Sequence, residues 1–372
     1  MANAPNRDIH RIAEAFAISQ PFVTAGPYGN GHINDTYVVE FSEQRMPKRY
    51  IVQRINGQVF ADIPLVMQNI GRVTRHVRSR LEMLGADDID RRTLTIVPTR
   101  DGRDYYLDTD GSYWRAYVFI ERAHSYDLIE TPERAYQAAR AFGEFARLID
   151  ALPLPRLHDT LPHFHDTRER FAALARAVDE DAHNLARDVA KEIAFCAERE
   201  RLAGALEILR GMIPERIAHN DTKMNNVLID DSTDCGLCVV DLDTVMQGLS
   251  LYDFGDMIRT AALPIAEDSQ DLTNARVSLP MFEAVTRGYV EGMGDLLGTA
   301  ESASLVLGAK VLTFESGVRF LTDHLQGNRY FQVERPGQNI DRARTQFALL
   351  ASLEAHEFEL NACVIRVIRE SK

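Results

Sequence analysis

The residues best suited to chemistry stand in two short segments of the second half of the chain. The first, His219-Asn220-Asp221-Thr222-Lys223-Met224-Asn225-Asn226, has the pattern His-x-Asp-x-x-x-x-Asn. Ile217-Ala218 lead into it and Val227-Leu228-Ile229 lead out, so this polar loop is pinned at the edge of an apolar core rather than lying in a surface turn. In the second segment the apolar run Leu237-Cys238-Val239-Val240 ends in Asp241-Leu242-Asp243. Acids directly after a buried strand are costly unless something offsets them, and a divalent cation held by hard oxygens is the usual partner. In an extended chain positions i and i+2 face the same way, so Asp241 and Asp243 are expected to reach one site together.

Two other clusters carry less. Cys235-Gly236-Leu237-Cys238 holds two of the four cysteines, with no second pair to complete a zinc site and no helix start behind it. The cysteines, Cys196 and Cys363 included, therefore read as ordinary thiols. His158, His163 and His165 crowd near Pro153, Pro155 and Pro162, a loop without acids in register for a metal.

The elements that must position these residues follow from periodicity. Residues 8–20 have Ile9, Ile12, Ala13 and Phe16 at helical spacing. Tyr28-Gly29-Asn30-Gly31 is a turn, and residues 36–39 and 50–52 read as strands on either side of Pro47-Lys48-Arg49. A helix is predicted over 62–84, from Ile63, Val66, Ile70, Val73, Val77, Leu81 and Leu84, and further strands around 93–98, 105–107 and 114–120. Beyond Glu121 the pattern turns helical, beginning at Thr131-Pro132-Glu133, where Thr is a cap and Pro suits the first turn. Only 226–243 is strand-rich there. The boundary falls near 121–126, giving units 1–121 and 122–372. With 372 residues, 45% hydrophobic and 26% charged, the chain is long enough for two packed lobes. A formal charge of -13 excludes a protein that coats nucleic acid. Arg7, Asp8, Arg11 and Glu14 interrupt any secretory leader, and no run approaches the ~18 apolar residues needed to span a bilayer, so a cytoplasmic protein without a membrane partner is expected.

These segments resemble the catalytic and metal loops of the aminoglycoside phosphotransferase and choline kinase superfamily, relatives of the protein kinases, and within it are most similar to the N-acetylhexosamine 1-kinases. Four blocks carry the resemblance: Gly29-Asn30-Gly31-His32-Ile33-Asn34-Asp35-Thr36-Tyr37, His219 to Leu228, Val240-Asp241-Leu242-Asp243-Thr244-Val245-Met246, and Tyr252-Asp253-Phe254-Gly255-Asp256. The resemblance implies an α+β, protein-kinase-like two-lobe fold. Its N-lobe, 1–121, is an antiparallel sheet plus helix covering the nucleotide; its C-lobe, 122–372, is mainly helical with a small catalytic sheet. It implies ATP as co-substrate, Mg²⁺ as cofactor and a small-molecule sugar as partner.

Carried over residue by residue, the resemblance makes Asp221 the base that accepts the substrate hydroxyl proton, with Asn226 and Asp241 as metal ligands; Asp243 is added to them by the i, i+2 argument above. Lys223, two residues beyond the base, would steady the transferring phosphoryl group. The transition state of phosphoryl transfer is loose, so such residues mainly position and neutralise. Asp253-Phe254-Gly255 spells the metal-binding tripeptide of protein kinases, yet it follows no apolar strand. It reads instead as a helix entry, with Asp253 as a cap or an acceptor for catalytic-loop amides. Gly29 and Gly31 would let backbone approach the ATP phosphates. His32, Asn34, Asp35 and Tyr330 would contact the sugar. Where many relatives carry a phosphate-binding lysine this chain offers Gln53 or Arg54, and the choice depends on strand register. The helix at 62–84 has Gln68, and Glu82 near its end, but no mid-helix glutamate. Residues 117–121, including Phe119 and Glu121, would form a hinge whose backbone bonds adenine. The acceptor implied is the anomeric hydroxyl of N-acetylglucosamine or N-acetylgalactosamine. Rival acceptors are homoserine, choline, an aminoglycoside or another sugar, and a rival of another class is a kinase-shaped binding protein without turnover. Choline would favour an aromatic cage, and the single tryptophan, Trp114, lies in the first lobe.

Overall fold

The computed structural model describes residues 9–29, 33–43 and 47–371. The chain divides into two units, Met1–Arg122 with Leu152–Leu161, and Ala123–Ala151 with Pro162–Lys372. The inclusion of Leu152–Leu161 in the first unit was not readable from composition. Asn69 ties it there, donating to the His158 carbonyl (2.8 Å) and accepting from the His158 amide (3.0 Å). Gln68 bonds the His158 ring (2.5 Å).

The first unit runs α1 (Ile9–Ala13), β1 (Phe22–Pro27), β2 (Asp35–Phe41), β3 (Lys48–Ile55), α2 (Ile63–Met83), α3 (Ile89–Arg92), β4 (Tyr106–Leu107) and β5 (Tyr113–Val118). Its strands form an antiparallel sheet in the order β1-β2-β3-β5-β4. Val39, Phe41, Tyr50, Val52, Trp114 and Ala116 alternate inward and pack on Phe16 and Ile18. α2 begins where Asp62 accepts from the Leu65 amide (3.1 Å) with Pro64 in the first turn, and its stripe from Ile63 to Leu81 is buried. Two expectations shorten. The opening helix ends at Ala13, because Phe16 and Ala17 leave it to pair with Thr99 and Pro98. Residues 93–98 form only an isolated bridge, Ile96 to Tyr117, since Pro98 has no amide for a ladder.

The second unit contains β6 (Ala123–His124), α4 (Pro132–Ile149), α5 (Thr167–Glu180), α6 (Ala190–Ala197), α7 (Glu200–Ala203), α8 (Ala205–Ile208), β7 (Arg216–Ala218), β8 (Val227–Asp230), β9 (Gly236–Val239) and β10 (Met246–Gly248). It continues with α9 (Ser250–Ala261), α10 (Leu279–Met293), α11 (Thr299–Ala303), α12 (Leu305–Leu325), α13 (Gln338–Ala355) and α14 (Glu357–Glu370). Two small antiparallel sheets, β10-β7 and β6-β8-β9, hold both polar segments between them. One segment leaves β7 and enters β8; the other leaves β9 and enters β10. Helices α9 and α12 meet at two glycines: a Cβ on Gly255 would lie 2.5 Å from the Gly308 carbonyl oxygen, and one on Gly308 would lie 2.8 Å from that of Leu251. Gly255 is therefore a packing residue inside α9 and not part of a metal loop. Among the described residues no helix is long and apolar enough to cross a membrane.

Candidate active site

The loop between β7 and β8 is held from four sides. Asp253, at the start of α9 and 4% exposed, accepts from the amides of His219 (3.0 Å) and Asn220 (2.7 Å), while its own carbonyl accepts from the Thr222 hydroxyl (2.6 Å). α9 itself opens at Ser250 without a side-chain cap; the Asp253 carboxylate is thus an acceptor for the loop amides. Burial pushes its pKa up, and the two amide bonds pull against that rise. The His219 ring spans the two polar segments. Its Nδ1 accepts from the Asp221 amide (3.3 Å), so Nε2 carries the proton donated to the Val240 carbonyl (3.0 Å). Thr244 donates to the His219 carbonyl (2.8 Å) and Asn220 Nδ2 to the Thr244 carbonyl (3.0 Å).

Within this frame Asp221, Lys223 and Asn226 come together. Lys223 Nζ lies 3.2 Å from Asp221 Oδ2, and their side chains are 44% and 20% exposed, so the pair is sheltered yet reachable by solvent. Asn226 Nδ2 donates to the Asp221 carbonyl (2.9 Å) and approaches Asp221 Oδ2 (3.3 Å), which leaves the amide oxygen of Asn226 as an acceptor for another ligand. Burial pushes the Asp221 carboxyl up, but Lys223 first, then His219 and Arg259, outweigh it and hold the group below the ordinary carboxylate range. Lys223 is raised, chiefly by Asp221 and further by Asp256 and Asp241.

Asp241 follows β9 as Asn226 precedes β8, and the strands pair Val227 with Val239, extended by a bond from the Val240 amide to the Asn226 carbonyl (2.9 Å). Asp241 turns into the left-handed region (φ 59°), which aspartate tolerates better than most side chains. Leu242–Thr244 then form a 3₁₀ turn. The chain is not extended here, so the geometry that was to align Asp243 with Asp241 does not occur, and Asp243 is buried at 3% exposure. Among the described residues no three His, Cys, Asp or Glu side chains enclose an ion by themselves. The donor chemistry still suits a hard cation. An amide oxygen and a carboxylate stand at adjacent strand ends, and Mg²⁺ characteristically takes its remaining ligands from water and substrate phosphates. Close by, Asp256 (4% exposed) accepts from Arg259 (2.7 Å) through Oδ1, whereas its Oδ2 has no hydrogen-bond partner among the described residues.

The first-unit expectations are placed differently. Gly29 takes the left-handed conformation (φ 72°), and the Tyr28 amide donates to the Thr36 carbonyl (2.9 Å); Gly31 and His32 lie outside the described residues. Asp35 and Arg54 are cross-strand partners joined by an ion pair (2.5 Å), so these two nominated contacts neutralise each other. Asn34 accepts from the Asn56 amide (3.0 Å). Gln53 lies in a row with Thr36 and Arg115, donating to the first (2.9 Å) and accepting from the second (2.9 Å). Arg115, 1% exposed, is the buried cation of this row and was not anticipated. Arg49 pairs with the Glu121 carboxylate and stacks on Phe119, its guanidinium 4.0 Å from the ring centre. The Glu121 carbonyl accepts from Arg91 (3.0 Å).

Three second-unit residues also escaped the sequence reading. Asp256 and Arg259 had a signal in their i, i+3 spacing on α9. Arg319 had none. Its guanidinium lies 5.3 Å from the Phe164 ring, 5.6 Å from Tyr330 and 5.5 Å from Phe331. Tyr330 itself is half exposed, on a loop whose amides at Arg329, Tyr330 and Phe331 all bond the Asp323 carboxylate.

An antiparallel first sheet, a helical second unit, and a carboxylate–lysine pair beside paired strand ends define a protein-kinase-like phosphotransferase fold. The model of the phosphotransferase enzyme family matches residues 24–277, more than half of the chain, and the protein belongs to that family. Solved structures agree on the fold. A spectinomycin phosphotransferase, determined with ADP and spectinomycin, is 14% identical with a TM-score of 0.56, covering 99% of this chain and 100% of its own. An aminoglycoside phosphotransferase from Alicyclobacillus acidocaldarius is 14% identical with a TM-score of 0.59, covering 98% of both chains. A choline kinase from Cryptosporidium parvum is 13% identical with a TM-score of 0.55, covering 90% of both.

Proposed function

We propose that the protein transfers the γ-phosphoryl group of ATP to the anomeric hydroxyl of an N-acetylhexosamine, with Asp221 as base. The observation that carries this reading is the Asp221 carboxylate, held below the ordinary carboxylate range and in reach of solvent beside Lys223. An ionised carboxylate can take the acceptor proton as the oxygen attacks phosphorus and the bond to ADP breaks, and an anomeric hydroxyl is more acidic than an ordinary alcohol. Lys223 is placed to balance charge on the transferring group. Asn226 and Asp241 would hold Mg²⁺, which neutralises phosphate oxygens when bound. In the first unit, the turn at Gly29, the row Gln53–Arg115, Arg54 and the stretch Phe119 to Glu121 are the candidates for contacting nucleotide.

For the acceptor, Tyr330 offers an exposed ring to a sugar face, with Asn34 and Asp35 of the first unit and His32 as further candidates. Arg319 already sets a cation against the Tyr330 ring, 5.6 Å from its centre, in the place an ammonium acceptor would take, which favours a neutral acceptor over choline or an aminoglycoside. Trp114 is fully buried and bonds Asp108 (2.8 Å), which removes the tryptophan a choline cage would want. The test is ADP release with Mg²⁺ across N-acetylglucosamine, N-acetylgalactosamine, neutral hexoses, homoserine, choline and aminoglycosides, with D221N as control. Turnover confined to amines or homoserine overturns the sugar assignment, and no turnover with any acceptor supports a binding protein.

A further inference from the structure

His165, set aside above as a loop histidine, lies against the catalytic loop. Its Nε2 is 2.8 Å from the carbonyl oxygen of Asn220, and its Nδ1 is 2.9 Å from Oε1 of Glu315. With Glu315 ionised, both partners only accept hydrogen bonds, one being a carbonyl and the other a carboxylate, so both ring nitrogens donate. A ring with two protons is an imidazolium. The side chains of His165 and Glu315 are 7% and 1% exposed, and Thr167 donates to the other Glu315 oxygen (2.6 Å), so the carboxylate is held from both ends.

The peptide that His165 grips is the one joining Asn220 to Asp221. Asn220 is left-handed (φ 65°), a conformation that needs fixing in a residue with a side chain. Its amide is taken by Asp253 and its side-chain NH₂ by the carbonyls of Ala218 and Thr244. The carbonyl is the remaining polar group of Asn220, and His165 takes it, while the N–H of the same peptide, that of Asp221, is held by His219 Nδ1 (3.3 Å). We propose that His165, protonated on both nitrogens between Glu315 and the Asn220 carbonyl, is a positioning residue that sets the backbone of the base Asp221, and that loss of its proton switches turnover off on the alkaline side.

The charged groups around the ring come from several elements, Arg170 of α5 beside Glu315 among them. Glu315 comes from α12 with Arg319 beside it, Tyr252 from α9 with its ring 4.8 Å away, and the charges of Asp256 and Asp253 from the same helix. The Phe164 ring lies 4.6 Å away, tilted by 55°. Burial drives the His165 pKa down, but Glu315, the Asn220 carbonyl and Asp256 outweigh it and raise the group above its ordinary 6.5. Glu315 is pushed up by burial and brought below its ordinary value by His165. The sign follows: the raised histidine keeps its stabilising charge below 6.5 and loses it as pH rises through the higher folded value. Lys223 is raised from 10.5, so any limb of its own lies further up.

The kinetic arm of the test rests on the hexosamine reading; the spectroscopic arm does not. With ¹⁵N-labelled histidine and aspartate, the His165 ring at pH 7 is expected to show two protonated nitrogens. The Asp221 amide shift should titrate with that ring. In turnover with N-acetylglucosamine, kcat should fall about 10- to 100-fold through the same transition, the loss of one charge-assisted bond. E315Q supplies the rescue. Its amide oxygen can accept from Thr167 and its NH₂ can donate to Nδ1, so a singly protonated ring still donates to Asn220. This variant should keep the larger part of its turnover and lose the alkaline limb. H165Q, which presents one donor and one acceptor, should lose turnover at every pH with substrate KM little changed. A singly protonated ring in the wild type at pH 7, or a wild-type alkaline limb in E315Q, overturns the proposal. Should no hexosamine turn over, the hexosamine reading fails, and the ring and Asp221 amide titrations decide this inference by themselves.

Discussion

Replacing Asp253 by asparagine separates two accounts of the same residue. By its tripeptide Asp253 would be a metal ligand; by its contacts it is the acceptor that holds the catalytic loop. The side chain receives amide bonds of 3.0 Å from His219 and 2.7 Å from Asn220. Bonds to a charged acceptor are worth about 1.5–3 kcal/mol each. An asparagine keeps one of them as a neutral bond of about 1 kcal/mol and turns an NH₂ toward the other amide, leaving a buried donor without a partner. Against this, removing a carboxylate whose pKa burial has raised returns part of its desolvation penalty. The net loss should be about 2–3 kcal/mol, seen as a fall of order 5 °C in melting temperature. Turnover should drop because the loop carrying Asp221 loosens, whereas the Mg²⁺ concentration for half-maximal rate should stay within about twofold of wild type. D241N should do the reverse, with melting little altered and the Mg²⁺ requirement raised at least about tenfold. If D253N melts like the wild type and needs far more Mg²⁺, the assignment of loop support to Asp253 and metal to Asp241 is wrong.

Other expectations concern the base, the pH range and the helix contact. D221N should lower kcat by about 10²- to 10⁴-fold while the protein stays folded, checked by ADP release beside circular dichroism. Because Asp221 is held below its ordinary 3.8, its ionised form persists as pH falls to that value, so an acid-side loss of kcat/KM starting near neutrality would contradict its role as base. G255A places a methyl 2.5 Å from the Gly308 carbonyl and 2.9 Å from the Leu312 Cβ. Overpacking of about 1–3 kcal/mol is offset by roughly 1 kcal/mol of helix propensity, so the melting temperature should fall modestly with no change in Mg²⁺ requirement.

What could be read beforehand, and what could not, divides along sequence separation. The loop at 219–226 was legible because its polar pattern is bounded by apolar residues that become β7 and β8, a local signal. Asp253 was set apart from the kinase tripeptide because no long apolar run leads into it; the structure places the short strand β10 (Met246–Gly248) just before α9, so the distinction rests on its contacts with the loop amides. The start of α4 at Thr131-Pro132 is likewise local chemistry. The site's long-range pairs left no such trace. His165 meets Glu315, and Arg319 meets Phe164, across most of the second unit, and no periodicity announces which turn of α12 will face which loop.

Strand register shows why the first unit was harder still. β2 and β3 pair Asp35 with Arg54 and Thr36 with Gln53, while β3 and β5 pair Gln53 with Arg115. A shift of one residue would have separated Asp35 from Arg54 and turned Gln53 to the other face. At the observed register the substitute for the phosphate-binding lysine is therefore not a single side chain. Arg54 is spent on Asp35, and Gln53 is held between Thr36 and Arg115. For Arg54 to reach a phosphate, Asp35 must release it, and a released Asp35 is then available to a hydroxyl. The two residues nominated for nucleotide and for sugar are thus joined in one half-buried ion pair. Pairs near a surface are worth only about 0–1 kcal/mol, so a ligand competing for either member would open this one at little cost.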